Sequence, residues 1–96
     1  MRLNAPIEVG RVVFSKAGRD KGKYFIIVDI IDEQYVTVAD GDLRRLSSPK
    51  KKKNKHLDMK PEVLEGIADK LTNGKKVFDA ELRSAIRALR YFSEKE

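Results

Sequence analysis

Residues 8–41 read EVGRVVFSKAGRDKGKYFIIVDIIDEQYVTVADG, and the fold turns on how this stretch divides. EVGRVVFS (8–15) is a short strand pattern rich in valine. YFIIVDII (24–31) is an almost unbroken apolar run of Ile and Val. Its length and β-branching favour a central strand buried on much of both faces over a helix. YVTVA (35–39) alternates cleanly, which sends Val36 and Val38 toward a core and Tyr35 and Thr37 the other way. DEQ (32–34) and DGD (40–42) are the polar breaks. Between the first two strands, SKAGRDKGK (15–23) packs five charged residues and two glycines into nine positions. Such a loop, set directly against a buried strand, is either a solvated hairpin connection or a device for holding something negative. Gly18 and Gly22 bracket Arg19, Asp20 and Lys21, with Lys16 before and Lys23 after. Glycine permits positive φ and exposes backbone N–H groups, so the loop can approach a phosphate backbone closely. The pattern G-x-x-x-x-G-K-[ST] is absent, which argues against a nucleotide-triphosphate P-loop.

Outward from this core, LRRLSS (43–48) can pair briefly before Pro49 stops it. KHLDM (55–59) can add a last edge strand, and four or five short strands with regular turns predict a small barrel. The pattern then becomes helical. In KPEVLEGIADKLTNG (60–74), Pro61 suits a first helical turn, Glu62 and Glu65 complement the N-terminal dipole, and Asn73-Gly74 can supply a left-handed cap. Leu64, Ile67, Ala68 and Leu71 share one stripe. A second helix is expected from Asp79, a good N-cap, with Phe78, Leu82, Ile86 and Leu89 on one face. The short NGKK connection predicts a helical hairpin laid on the barrel or on itself.

The chain has 96 residues, enough for one small domain with an appendage. It has no cysteine, which rules out disulfides, zinc–thiolate sites and cysteine nucleophiles and suits a reducing cytoplasm, the expected location. MRLNAPIEVGRVVF carries no apolar signal-peptide core and no run approaches a membrane span, so neither standard secretion nor a membrane partner is expected.

Charge is the informative quantity, and its location matters more than its size. Net charge is +6; residues 1–60 carry 14 Lys/Arg against 8 Asp/Glu, and residues 61–96 carry 7 of each. The whole excess lies in the first sixty residues, and Arg44 to Lys60 holds eight basic residues against Asp58 alone. Clustering of this kind points to a polyanion more than to a solubility surface. Lys50, Lys51, Lys52, Lys53 and Lys55 are the densest cations; like-charge repulsion and Pro49 disfavour a helix there, so a loop or flexible arm laid along phosphates is expected. Arg44 and Arg45 would point to opposite faces of a strand, leaving one to share a surface with the 16–23 loop.

The remaining candidates have duller readings. Phe14 and Tyr24 read as core residues, whereas Tyr35 or Phe25 can offer a stacking face or simply pack. His56 is the single histidine, with no ligand spacing around it, so no metal or cofactor is expected. Asp29, Asp32, Glu33, Asp40 and Asp42 lack a base–nucleophile arrangement and read as turn caps or lysine partners. Arg83, Arg87 and Arg90 form a stripe on the second helix, and an Asp79–Arg83 pair gives it a structural explanation. No catalytic constellation is present, so neither an enzyme nor a small-molecule substrate is expected.

Taken together, residues 8–41 resemble the KOW motif of ribosomal and transcription-elongation proteins. Gly10 stands before the first strand, Gly18, Gly22 and Lys23 form a G-x-x-x-G-K signature, and the V-D-I-I-D…V-T-V alternation follows. The chain is similar to ribosomal proteins of the eukaryotic and archaeal fourteen-e type and to small bacterial KOW-containing RNA-binding proteins. The likeness covers residues 7–57 well; DGDLRRLSSPKKKKNKHL continues it, and the tail around KLTNGKKVFDAELRSAIRAL follows more loosely. The chain departs from many KOW sequences at Tyr24 and Phe25, where those carry another glycine, which implies a stiffer start to the second strand. The resemblance implies a mainly β fold: an SH3-like (KOW) β-barrel over residues 1–59 with a basic 44–55 arm, then a two-helix hairpin over 60–96. It implies that the loop between the first two strands meets RNA. The expected RNA-binding residues are Lys16, Arg19, Lys21, Gly22, Lys23, Arg44, Arg45, Lys50, Lys51, Lys52, Lys53 and Lys55. The expected function is non-enzymatic binding of structured RNA, ribosomal RNA foremost, in a ribosome- or translation-related role, with ribosomal or translation proteins as further partners. The competing expectation is an adaptor that docks a translation or transcription factor through the barrel or the helices.

Overall fold

The computed structural model describes residues 6–95, with side chains over 6–89. Five strands come in the order β1 Arg11–Ser15, β2 Tyr24–Ile30, β3 Tyr35–Ala39, β4 Lys50–Lys53 and β5 Leu57–Val63, with a 3-10 turn at Asn54–His56 between the last two. Two helices follow, α1 Glu65–Thr72 and α2 Asp79–Lys95. All pairings are antiparallel and the sheet order is β4-β3-β2-β1-β5. The fold is mainly β, a curled sheet with two helices against it. None of the helices among the described residues is long and apolar enough to cross a membrane.

Alternation along the strands divides the apolar residues between two cores. Val13, Phe25, Ile27, Val36, Val38 and Leu57 form one, with Met59 packed against it. β3 and β5 are not neighbours in the sheet, so their meeting here shows that the sheet curls around this cluster into a barrel-like form. Ile26 and Ala39, on the opposite face, form the second core with Ile67 of α1 and Leu82 and Ile86 of α2. The apolar run of β2 is thus explained: Phe25, Ile26 and Ile27 are all 0 % exposed, alternately serving the two cores. Burial of each such side chain stabilises the fold by roughly 1.5–3 kcal/mol. Val36 and Val38 point inward as expected, and both helices pack on the sheet.

Several elements depart from the sequence reading. Residues 43–48 form no strand, because side chains take over their backbone donors: Asp40 Oδ1 accepts from the N–H of Asp42 and of Arg44, and Asp79 Oδ1 from that of Leu46. The lysine run is neither loop nor free arm but the strand β4, paired with β3 from Val38↔Lys50 to Tyr35↔Lys53. Backbone pairing on an edge strand, alternation of the side chains to opposite faces and the ion pair of Lys52 with Asp20 outweigh the like-charge repulsion. Pro61 lies in β5 and not in a helix, so α1 begins at Glu65. An edge strand tolerates proline's missing N–H. Buried Arg11 fixes the segment further, its guanidinium donating to the carbonyls of Lys60 and Pro61.

Phe25 is core and offers no stacking face. Phe78 is 57 % exposed, and Val77 packs toward the helices' core instead. The N–H of Phe78 is taken by Glu81 Oε2, a capping-box contact at the start of α2. Hydrogen bonds from Lys70 and from the Phe78 N–H hold the Glu81 carboxyl below the usual range. Asp79 spends its side chain on Leu46 and makes no ion pair with Arg83, which donates to the carbonyl of Gly41.

Candidate nucleic-acid interface

The loop between β1 and β2 is short of side-chain packing and rich in backbone hydrogen bonds. Two tight turns overlap within it, Lys21 N–H to Gly18 O and Lys23 N–H to Asp20 O. Its two ends are tied by Gly22 N–H to Ser15 O and Ser15 N–H to Lys23 O, and its start is joined to the turn before β5 by Lys16 N–H to His56 O. Gly18 and Gly22 adopt φ of 79° and 88°, the left-handed region these turns need and other residues avoid. The Gly22 N–H, expected to face a phosphate, is therefore committed to Ser15, and glycine serves here to shape the loop.

The loop is closed from below by its one acid. Asp20 is 4 % exposed. Its Oδ2 sits 3.0 Å from Arg44 Nη2 and 3.0 Å from Lys52 Nζ, and Arg44 Nε donates to the same oxygen at 3.1 Å. Burial opposes ionisation of this carboxyl, but the hydrogen bonds and charges of Lys52 and Arg44 outweigh it and hold Asp20 below the usual carboxylate range. The triad joins three segments far apart in the chain: the loop, the turn at Arg44 and the strand β4. It also engages two of the candidate cations internally: Lys52 is largely enclosed against Asp20, while Arg44 pairs with it and stays partly exposed.

The other candidates are available. Lys16, Arg19, Lys21 and Lys23 are exposed on the loop, and Arg45, Lys50, Lys51 and Lys55 are exposed beyond it. Gly22 is exposed among the loop cations. Along β4 the side chains alternate, so Lys52 turns in toward Asp20 while Lys51 and Lys53 turn to the other side. There their ammonium groups lie 4.5 and 5.7 Å from the centre of the Tyr35 ring. Tyr35 is thus half-buried under two lysines, and Phe14 packs edge-on against Tyr24 at 5.0 Å. His56 contributes its carbonyl to the loop, and among the described residues no group of three possible metal ligands occurs. Asp32 and Asp40 cap turns, as their positions suggest.

Sequence reasoning missed Asp20 and Arg11. The available signal for Asp20 was a lone acid inside a loop of four cations, which is more readily explained by an inward role than by solvation. Arg11 gave none, since a strand residue of its type is ordinarily solvated.

None of the protein-family models matches the chain. The large ribosomal subunit protein eL14 of Methanococcus vannielii is 44% identical over 41 residues, 43% of this chain and 52% of that protein. The eL14 of Desulfurococcus amylolyticus is 52% identical over 33 residues, 34% of each chain. That of Pyrobaculum calidifontis is 48% identical over 33 residues, 34% of this chain and 32% of the relative. The chain therefore spans about half the length, or less, of the curated relatives it matches. Within that share, the resemblance read from its glycines and strand alternation is borne out: this chain is similar to archaeal eL14, a ribosomal protein of the KOW type.

Proposed function

We propose that this chain is a non-enzymatic RNA-binding protein that contacts structured RNA, ribosomal RNA foremost, in a ribosome-associated role in the cytoplasm. The curled sheet is the SH3-like barrel of the KOW type, and α1 and α2 are its C-terminal hairpin. One observation carries the reading: four exposed cations, Lys16, Arg19, Lys21 and Lys23, sit on a loop that an internal Asp20–Arg44–Lys52 triad anchors to a strand of lysines. A pre-shaped cationic loop meets phosphates without the ordering cost a flexible arm would carry. The names of its relatives place them in the large ribosomal subunit, which supports RNA as the polyanion.

The mechanism is mainly electrostatic. The loop and the outward lysines of β4 neutralise phosphates while the barrel holds them at fixed spacing. Double-stranded segments are read by shape and 2′-hydroxyls, because side chains do not enter the narrow major groove of A-form RNA. Neutralising about five phosphates gives a slope of log K against log[salt] of roughly −3.5 to −4.5. Crosslinking in the cells of origin, with sequencing of the attached RNA and a ribosome-gradient profile, tests the reading. A discrete crosslink in ribosomal RNA at the 16–23 loop or β4 is the expected outcome. Scattered RNA without a ribosomal peak, with a salt-insensitive protein complex that survives nuclease, would replace it with the adaptor.

A further inference from the structure

The basic loop sits where β1 ends and β2 begins; at the other end of these two strands the surface has the opposite character. A groove of about 570 Å³ opens there between the sheet and α1. Its apolar lining comes from Val9, Ile30, Val63 and Ala68, and its polar lining includes Glu8, Glu65 and Asp69. Ile30 is 42 % exposed, and Ile7 and Ile31, next to lining residues in the chain, are 40 % and 45 % exposed. These are three of the five large hydrophobic side chains most exposed among the described residues, gathered at one end of the molecule.

Among the described residues, no lysine or arginine lines the groove. Glu8 is engaged by Arg11, but Glu65 and Asp69, one helical turn apart on α1, make no ion pair among the described residues. In a chain of net charge +6 this is a local reversal of sign, and it repels the polyanion that the other end suits.

We infer that this groove docks a protein segment carrying lysine or arginine together with aliphatic side chains, the aliphatic groups entering between Val9, Ile30 and Val63 and the cations meeting Glu65 and Asp69. Charge complementarity selects that occupant over RNA. The two densest basic segments of a second copy are a poor fit: Lys50–Lys53 already forms the strand β4, and the 16–23 loop carries no large aliphatic side chain to enter the groove. The inference does not depend on the RNA-binding proposal, since it concerns a different surface and a different class of partner.

Fluorescence anisotropy of the full chain with a labelled decapeptide of alternating lysine and isoleucine tests it. Peptides alternating lysine with serine, and glutamate with isoleucine, serve as controls. The lysine–isoleucine peptide should bind best, with amide shift changes centred on Val9, Ile30 and Val63. Glu65→Lys combined with Asp69→Lys should weaken it by about tenfold or more while RNA affinity does not fall, since added positive charge can only favour a polyanion. Both positions are exposed, so the thermal midpoint should hold; if it falls, Ile30→Ser supplies an independent variant with the same expected loss. The inference is overturned by an absence of binding up to about 1 mM, the weak end of specific affinity. Shift changes centred elsewhere, or indifference to both variants, would overturn it equally. So would a dimer in sedimentation that Glu65→Lys and Asp69→Lys dissolve, which would assign the groove to a second copy.

Discussion

The two basic segments of this protein, the 16–23 loop and Lys50–Lys53, each carry four cations but differ in construction. The 16–23 loop is shaped by its own backbone, with two positive-φ glycines, two overlapping turns and a buried acid at its centre. The lysine run is shaped by its neighbour: four consecutive identical residues hold no conformational instruction, and pairing to β3 supplies the geometry. They meet at Asp20, which takes Lys52 from the strand and Arg44 from the preceding turn. A cation's place in the sequence therefore does not decide whether it faces a partner or the protein; its parity on β4 does.

If Asp20 is the joint between the two segments, its neutralisation should have the largest effect. Asp20→Asn leaves Lys52 and Arg44 facing an amide in a largely buried place, and a loss of about 2–3 kcal/mol is expected in thermal or urea unfolding at neutral pH. The pH dependence gives a sharper check. The folded carboxyl titrates below its ordinary value, so its contribution is full above about pH 4, the unfolded value, and is lost as pH falls through the depressed folded value. The gap between wild type and Asp20→Asn should accordingly stay constant from neutral pH to about pH 4 and narrow below it. A gap that does not narrow would mean that the ion pairs contribute nothing and that the side chain acts through packing.

Gly22→Ala tests the loop's own half of the comparison. An added Cβ meets no atom within 4 Å, so the cost is conformational alone: φ of 88° is strained for alanine. A loss of about 1–2 kcal/mol is expected, with the amide protection of Gly22 and Lys23 falling before that of the strands. A neutral result would show that the turns do not depend on glycine.

These effects also separate what the sequence disclosed from what it withheld. β1 to β3 were legible because alternation and β-branching are properties of each segment alone, and the glycine pattern of the loop is likewise local. The lysine strand was not: Lys50 to Lys53 reads as a loop or flexible arm laid along phosphates until Val36 and Val38 of β3 fix its register. Pro61 misled for a related reason, since the first turn of a helix and an edge strand both accept a residue without an N–H, and Arg11 from β1 decides between them. The role of Asp20 depends on two partners remote in the chain, so its place as a lone acid among four cations hints at an inward role without naming Arg44 or Lys52. Within the candidate interface, the exposed loop cations were recognised from sequence, whereas the division of the lysine run into an inward and an outward set was not.

That division supplies the last and smallest pair of effects, read from two adjacent residues. Lys52→Met removes one of the two cations on Asp20 but keeps the apolar stem, and Arg44 remains in place. A loss of about 1 kcal/mol is expected, with the salt slope of RNA binding unchanged, because this ammonium is already paired. Lys51→Met should behave in the opposite way. Its stem and a thioether still cover the Tyr35 ring where the ammonium sat at 4.5 Å, so stability should stay within about 0.5 kcal/mol. The slope of log K against log[salt] should become shallower by about 0.7–0.9, one phosphate fewer. Equal slopes for the two variants would mean that Lys52 leaves Asp20 when RNA binds, and the triad would then be a store of charge released on contact instead of a fixed joint.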